Sequence, residues 1–339
     1  MNPIIAPEHV TPSNPNMEVI GVFNAGVTRF KDEILLLLRV AERPINHDAQ
    51  AFLTPIYRPS EGRIAIQRIP RDHKHDFSDV RVIRSTERNY LTSISHLRLA
   101  RSKDGIRFVT DGTPTILPSN EYETYGIEDP RITRLGEIFY ITYSSISDLG
   151  ICTSLISTTD FVHFERKGNI FHPDNKDVAI FPARIGGLYY ALHRPSTSHY
   201  GKPDMWIAES DDLLKWGNHR HLAGVRSGMW DNGRVGASTV PIETDQGWIE
   251  IYHGADENNK YCLGVLLLDK DEPWRVLARS CEPFMVPEAP YEVDGFFGNV
   301  VFPCGAICEN GNVHIYYGAS DTCIASVETS VEFLLAHLT

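Results

Sequence analysis

Apolar runs recur along the chain in a fixed polar frame. One unit is a polar turn followed by a strongly apolar, β-branched or aromatic run that ends in polar residues. It reads RFKDEILLLLRVAE from Arg29, RLGEIFYITYSS from Arg134, RIGGLYYALHRP from Arg184, ETDQGWIEIYHGAD from Glu243 and ENGNVHIYYGASD from Glu309. A second unit follows most copies: ARSKDGIRF at 100–108, STTDFVHF at 157–164, ESDDLLKW at 209–216 and a looser LLLDKDEPW at 266–274. Its aspartates Asp104, Asp160, Asp212 and Asp271 stand 56, 52 and 59 residues apart. Strand signals at that period predict one four-stranded meander per repeat, which is a propeller blade. Five copies predict an all-β chain, a single five-bladed β-propeller over residues 1–339. The 105 residues between the first two copies leave room for a sixth blade. Residues 42–90, rich in Arg, Pro, Asp and His with little alternation before Val80, read instead as an insertion or extended loop in the first blade. Solenoid repeats are shorter and more regular. Helix is expected only for SVEFLLAHL at 330–338, as a surface cap.

Composition narrows the class. A length of 339 residues nominally suggests two domains, but the repeats make it one. At 42% hydrophobic residues with 15 Phe, 14 Tyr and 5 Trp, the chain is far from disordered. The net charge of −12 argues against a nucleic-acid binder while leaving room for a small basic pocket. No apolar run approaches the roughly 20 residues needed to span a bilayer. The start, MNPIIAPEHVTPSNPN, lacks the basic-then-apolar pattern of a signal peptide. Six cysteines without a CxxC pair point to reduced thiols and a cytoplasmic location. A homo-oligomer is compatible with all of this.

The polar residues that end the repeated runs carry the candidate chemistry: Arg39 and Glu42, Ser144 and Ser145, His193 and Arg194, His253, and Asp321. Equivalent ends of inner propeller strands converge on one mouth of the central channel, so these groups are expected to meet there. The most distinctive segment is GIEDPRIT at 126–133, where Glu128 and Asp129 precede Pro130 and Arg131. Neighbours on an extended segment point opposite ways, so one of the two carboxylates faces a shared pocket. If burial raises its pKa it can donate a proton. Phe296, Phe297, Trp230 and Tyr125 are candidates for stacking on sugar rings. The HRH run at 219–221 offers two histidines without a third ligand and reads as a solvated turn.

GIEDPRIT has companions: FNAGV at 23–27, LLLLRVAE at 35–42, NKDVAIFPARIGGLYYALHRP at 175–195, WDNGRVGAS at 230–238, GWIEIYHGAD at 247–256 and GNVVFPCGA at 298–306. Together these segments resemble glycoside hydrolase family 130, which contains inverting β-mannoside phosphorylases and some β-mannosidases. The resemblance runs in order from Phe23 to about Asp321 and implies a five-bladed propeller. It further implies that Asp129 is the catalytic acid, and that Asn24, Arg39, Asn299 and Asp321 hold the sugar. Lys176, Arg194, Arg234, His253 and Tyr261 match the phosphate site; Lys176 and Arg234 exchange one basic type for another, and Arg and Lys are not equivalent in bidentate anion binding. Segments 89–105 and 172–182 look closer to the branch acting on β-1,2-linked mannosides.

Inverting hydrolysis requires a second carboxylate to activate water. Phosphate is already an anionic nucleophile and requires positive charge instead. Lys176, Arg194, Arg234, His253 and Tyr261 supply such groups, and no water-activating carboxylate is evident. The expected reaction is phosphorolysis of β-mannosides to α-mannose 1-phosphate and a shortened acceptor. Hydrolysis of the same linkages by water is the alternative, with a non-catalytic sugar-binding propeller behind it. The expected partners are a β-mannoside oligosaccharide and inorganic phosphate as co-substrate, with no metal or organic cofactor and no membrane or nucleic acid.

Overall fold

A computed structural model describes residues 2–196 and 200–338. Five antiparallel sheets follow one another along the chain. The first contains Met17–Phe30, Glu33–Pro44, Ile94–Ser102 and Val109–Thr110; the second Ile127–Leu135, Ile138–Ser147, Gly150–Thr158 and Glu165–Phe171. The third contains Asn175–Ile180, Tyr189–Pro195, Met205–Ser210 and Gly217–Ala223. In the fourth, Arg234–Ala237 and Ile242–Thr244 both pair with Gly247–Ala255, followed by Tyr261–Leu268 and Val276–Arg279. The fifth has only Val301–Glu309, Asn312–Ala319 and Cys323–Ser330.

The core explains the continuous apolar runs. In the run Leu35–Leu38, Leu35 and Leu37 pack with Ile132, Phe139 and Ile141 of the second sheet, while Leu36 and Leu38 pack with Tyr316 and Ile324 of the fifth. A strand buried on both faces has no polar side, so alternation disappears from its sequence. The same holds at 248–252, where Trp248 and Tyr252 face the third sheet and Ile249 and Ile251 face the fifth. Another cluster joins the second and third sheets through Leu155, Ile170, Val178 and Ile180. Each sheet is therefore sandwiched by its neighbours, and the last packs on the first.

The N-terminal segment supplements the three-stranded fifth sheet. Ile5 and Ile324 exchange backbone hydrogen bonds, and the Asn2 side chain bonds to both the N–H and the carbonyl of Ser326.

Between Pro44 and Ile94 lie a hairpin, Ala51–Arg58 with Arg63–Pro70, and a small sheet of His75–Asp76, Val82–Ser85 and Tyr90–Leu91. Neither is a four-stranded meander. The recurrent turn is built as its sequence suggests: Asp104, Asp160 and Asp212 each accept two backbone N–H groups with Oδ1, as Asx turns do. In the fourth copy the turn carboxylate is Asp269 rather than Asp271, because Asp269 accepts the N–H groups of Asp271 and Glu272. At the C-terminus a helix spans Val331–Ala336, with Ser330 Oγ accepting from the Phe333 N–H as an N-cap. A second short helix, Pro290–Val293, was not apparent in the pattern. Among the described residues no helix is long and apolar enough to cross a membrane.

Candidate active site

The repeated apolar runs are the second strand of each sheet, whereas the first strands lie against one another across sheets. The cavity is built chiefly on these first strands. Three of them carry a bulge at the same level: between Phe23 and Gly26, between Glu128 and Arg131, and between Lys176 and Ala179. Bulges re-aim a side chain beside a site. Here each turns an Asn or Asp inward with a left-handed backbone, Asn24 at φ 48, Asp129 at φ 51 and Asp177 at φ 57. Asn and Asp accept that conformation more readily than other side-chain-bearing residues. Two glycines make room: a Cβ on Gly318 would meet Asn24 Oδ1 at 2.2 Å, and one on Gly236 would meet Asp177 Oδ2 at 2.6 Å.

The resulting cavity has a volume of about 360 Å³, within the range of small-ligand sites. Asn24, Arg39, Asp129, Lys176, Arg194, Arg234, Tyr261 and Asp321 all line it. Asp129 Oδ1 accepts from Asn24 Nδ2 and from Arg39 Nη1, both at 2.9 Å, while Oδ2 accepts from no described residue. Arg39 also pairs with Glu128 at 2.8 Å, donates to Ser95 Oγ and lies over the Phe23 ring. Burial pushes the Asp129 carboxyl up, but Arg39, Lys176, Asn24 and Arg131 outweigh it and hold the group below its ordinary value. The condition that burial raise the pKa of this acid is therefore not met, because the surrounding cations and donors outweigh burial and keep it ionised. Asp321 differs. Burial, with Asp129 and Glu128 nearby, pushes it up to about 6 against the pull of Arg39 and Arg81.

On the other side of the cavity wall, Arg194 Nε donates to Asp177 Oδ2 at 2.6 Å. Arg234 donates to Tyr261 Oη at 2.8 Å and to Asn259 Oδ1 at 2.9 Å. Beneath them runs a buried network. Arg131 donates to the carbonyls of Asp129, Ala237 and Ser238 and to Asp177 Oδ1, tying three sheets together.

Two expected residues do not line the cavity. His253 is fully buried beneath it, with Nδ1 3.1 Å from Ser238 Oγ and Nε2 3.4 Å from Asp177 Oδ2, outside hydrogen-bonding geometry. Burial lowers its pKa to about 4, so it is neutral. Asn299 is exposed; its carbonyl accepts from the N–H of Tyr261 and so holds that strand.

Other candidate groups have structural partners elsewhere. Glu42 binds Ser13 through both its backbone N–H and its hydroxyl. His193 stacks on Phe171 and contacts His219, His221 pairs with Asp204, and Ser145 bonds Ser154. Phe296 and Phe297 line the cavity, whereas Trp230 stacks on Tyr252 and Tyr125 ties Arg88 and Asn89 to Asp148.

Sequence reasoning missed Asp177, although it follows Lys176 as Asp129 follows Glu128. That repeat-equivalent position was the available signal. It also missed the roof. Asp79, Arg81, Val82, Arg84, Leu91 and Ser93 of the inserted segment line the cavity, and Arg81 lies 4.0 Å over the ring of Phe297. No periodicity in 42–90 indicates that contact.

A family model described as β-1,4-mannooligosaccharide phosphorylase matches residues 81–339. The chain belongs to glycoside hydrolase family 130. Within family 130, it is 47% identical over 342 residues to a β-1,2-mannobiose phosphorylase of Listeria innocua, covering 99% of this chain and 96% of the relative. It is 41% identical to a 1,2-β-oligomannan phosphorylase of Thermoanaerobacter, covering 68% of this chain and 77% of that one. The solved structure of the Listeria innocua enzyme with β-1,2-mannobiose superposes with a TM-score of 0.97 at 48% identity, over 99% of this chain and 97% of that chain. Asn24 and Arg39 precede the residues matched by the family 130 model; the Listeria relative spans nearly the whole chain.

Proposed function

We propose that this protein is an inverting β-mannoside phosphorylase acting on β-1,2-mannobiose, and that its five sheets are the blades of one five-bladed β-propeller. Cores between every successive pair of sheets, including the last and the first, support that architecture. One observation carries the chemistry. Asp129 keeps a free oxygen toward the cavity, while the carboxylate among the neighbouring cations, Asp177, is engaged through both oxygens. A base for water would have to stand among those cations with an oxygen to spare. Asp321 is instead close to Asp129 and Glu128.

Phosphate enters as the dianion beside Lys176, Arg194, Arg234 and Tyr261, whose charge-assisted hydrogen bonds hold it without a base. Its charge offsets Lys176, one of the groups holding Asp129 ionised, and so favours the protonated acid. A phosphate oxygen forms the bond to C1 of the terminal mannosyl unit as the glycosidic bond breaks on the opposite face. Asp129 protonates the leaving oxygen, relayed through a sugar hydroxyl. The sugar phosphate then returns its remaining acidic proton to Asp129, which closes the cycle. Asn24, Arg39 and Asp321 bind the mannosyl ring in this scheme, and Asn299 and His253 act behind the wall. Phosphate is the co-substrate and no metal or organic cofactor is required. The similarity to the Listeria enzyme and the sequences at 89–105 and 172–182 favour the β-1,2 linkage, and six free thiols favour a cytoplasmic setting.

The test is incubation with β-1,2-mannobiose with and without inorganic phosphate. Phosphate-dependent formation of α-mannose 1-phosphate is expected. Release of free mannose at equal rate in both conditions would overturn the proposal in favour of hydrolysis. In reverse, α-mannose 1-phosphate with a panel of acceptor sugars should give a β-1,2-linked product.

A further inference from the structure

We propose that Asp177 is a positioning residue for phosphate, fixing Arg194 so that its two Nη groups face the cavity; this rests on the phosphorylase reading above. Asp177 is almost fully buried, in a bulge that sends its side chain away from the strand pairing. Two donors hold it, Arg194 Nε at 2.6 Å and Arg131 Nη2 at 3.3 Å, with His253 Nε2 nearby at 3.4 Å. Arg194 gives only Nε to this carboxylate. Its Nη1 and Nη2 donate to no described residue, and the side chain lines the cavity. A guanidinium held by its inner edge presents its outer edge as a fork, the geometry that grips a phosphate oxygen pair.

The carboxylate is matched to this task by what it lacks as well as what it has. An acceptor-only group can face donors on both oxygens at once; an amide of the same shape cannot. In Asp177→Asn the new NH2 would confront Arg131 or Arg194 in a tight site, where even a Cβ on Gly236 would meet Oδ2 at 2.6 Å. Arg194 would be displaced while every other cavity-lining side chain remained present. The Asp129 carboxylate receives different donors, Asn24 and Arg39, so the mannosyl end of the cavity is linked to Asp177 only through Arg131, which also donates to the Asp129 carbonyl.

The experiment is a double-mutant cycle on purified protein, with Asp177→Asn, Arg194→Gln and the pair, read as KM for inorganic phosphate and for β-1,2-mannobiose and as Kd for phosphate by calorimetry. Asp177→Asn is expected to raise the phosphate KM and Kd about tenfold with the mannobiose KM changed by less than about twofold. Acting through Arg194, it should add little to Arg194→Gln in the double variant. A phosphate KM unchanged in Asp177→Asn, equal rises in both KM values, or multiplying effects in the cycle would each overturn the proposal. Should Asp177→Asn not fold, Gly236→Ala tests the same point with all charges retained, because the added methyl presses on Asp177 Oδ2 as well as on the neutral His253 ring beside it; a selective rise in phosphate KM is again expected, and its absence refutes the inference. Failure of the phosphorylase reading itself is visible in the wild type alone, as turnover indifferent to phosphate.

Discussion

Asp129 and Asp177 occupy the same bulge on neighbouring strands, share a left-handed backbone and are both buried, yet the structure equips them for opposite tasks. Asp129 takes both of its hydrogen bonds on one oxygen and leaves the other to the cavity. Asp177 has both oxygens engaged by arginines, which with His253 hold it well below the ordinary range against the upward push of burial. The residue type and the backbone are the same. What differs is how the donors are distributed, and that decides which carboxylate can still exchange a proton.

Asparagine at each position is the sharpest way to break the comparison, because it keeps the left-handed backbone. Asp129→Asn should lower formation of α-mannose 1-phosphate by about 10³-fold, within the range that general acids contribute, while its melting temperature stays near wild type. Equal, modest losses from Asp129→Asn and Asp177→Asn would erase the distinction. Next in size, Arg234→Gln should raise the phosphate KM about tenfold and leave the mannobiose KM within about twofold, checked by initial rates with each substrate varied.

Asp321 sharpens the comparison from the side of stability. It keeps its proton to about 6 in the folded chain but only to about 4 when unfolded. Between those values the folded state binds more protons, so this group's contribution to stability falls as pH rises through the window. Asp321→Asn removes that loss. Thermal melts should show the variant gaining on wild type, with a larger gain at pH 7.5 than at pH 4.5; an equal gain at both would contradict the assignment. The smallest effect is expected from EDTA, which should leave initial rates of phosphorolysis unchanged because Lys and Arg side chains supply the positive charge.

Much of this arrangement was legible in the chain because the repetition of similar antiparallel sheets writes itself into spacing. The turn aspartates and the strand runs mark the sheets, and the segment around Asp129 marks the acid. Less legible was which strand of each sheet faces the cavity. The longest apolar runs are second strands, made continuous by cores on both faces, whereas three of the site-forming first strands are interrupted by bulges. That is why Ser145 and His193, at the ends of conspicuous runs, have structural partners instead. Asp177 hid because its importance depends on two arginines from two other segments, and Arg81 because the roof is made by tertiary contact alone.

The pairing of Ile5 with Ile324 has a consequence for the order of synthesis. Asn24 and Arg39 are among the first site residues made, Asp321 is the last, and the strand edge that joins both ends of the chain lies just beyond it. A chain growing from its N-terminus therefore carries an incomplete pocket until Asp321 has emerged. Its first sheet must wait for its last with one apolar face, including Leu36 and Leu38, uncovered. In the cell, the hazard of this fold is concentrated in that interval.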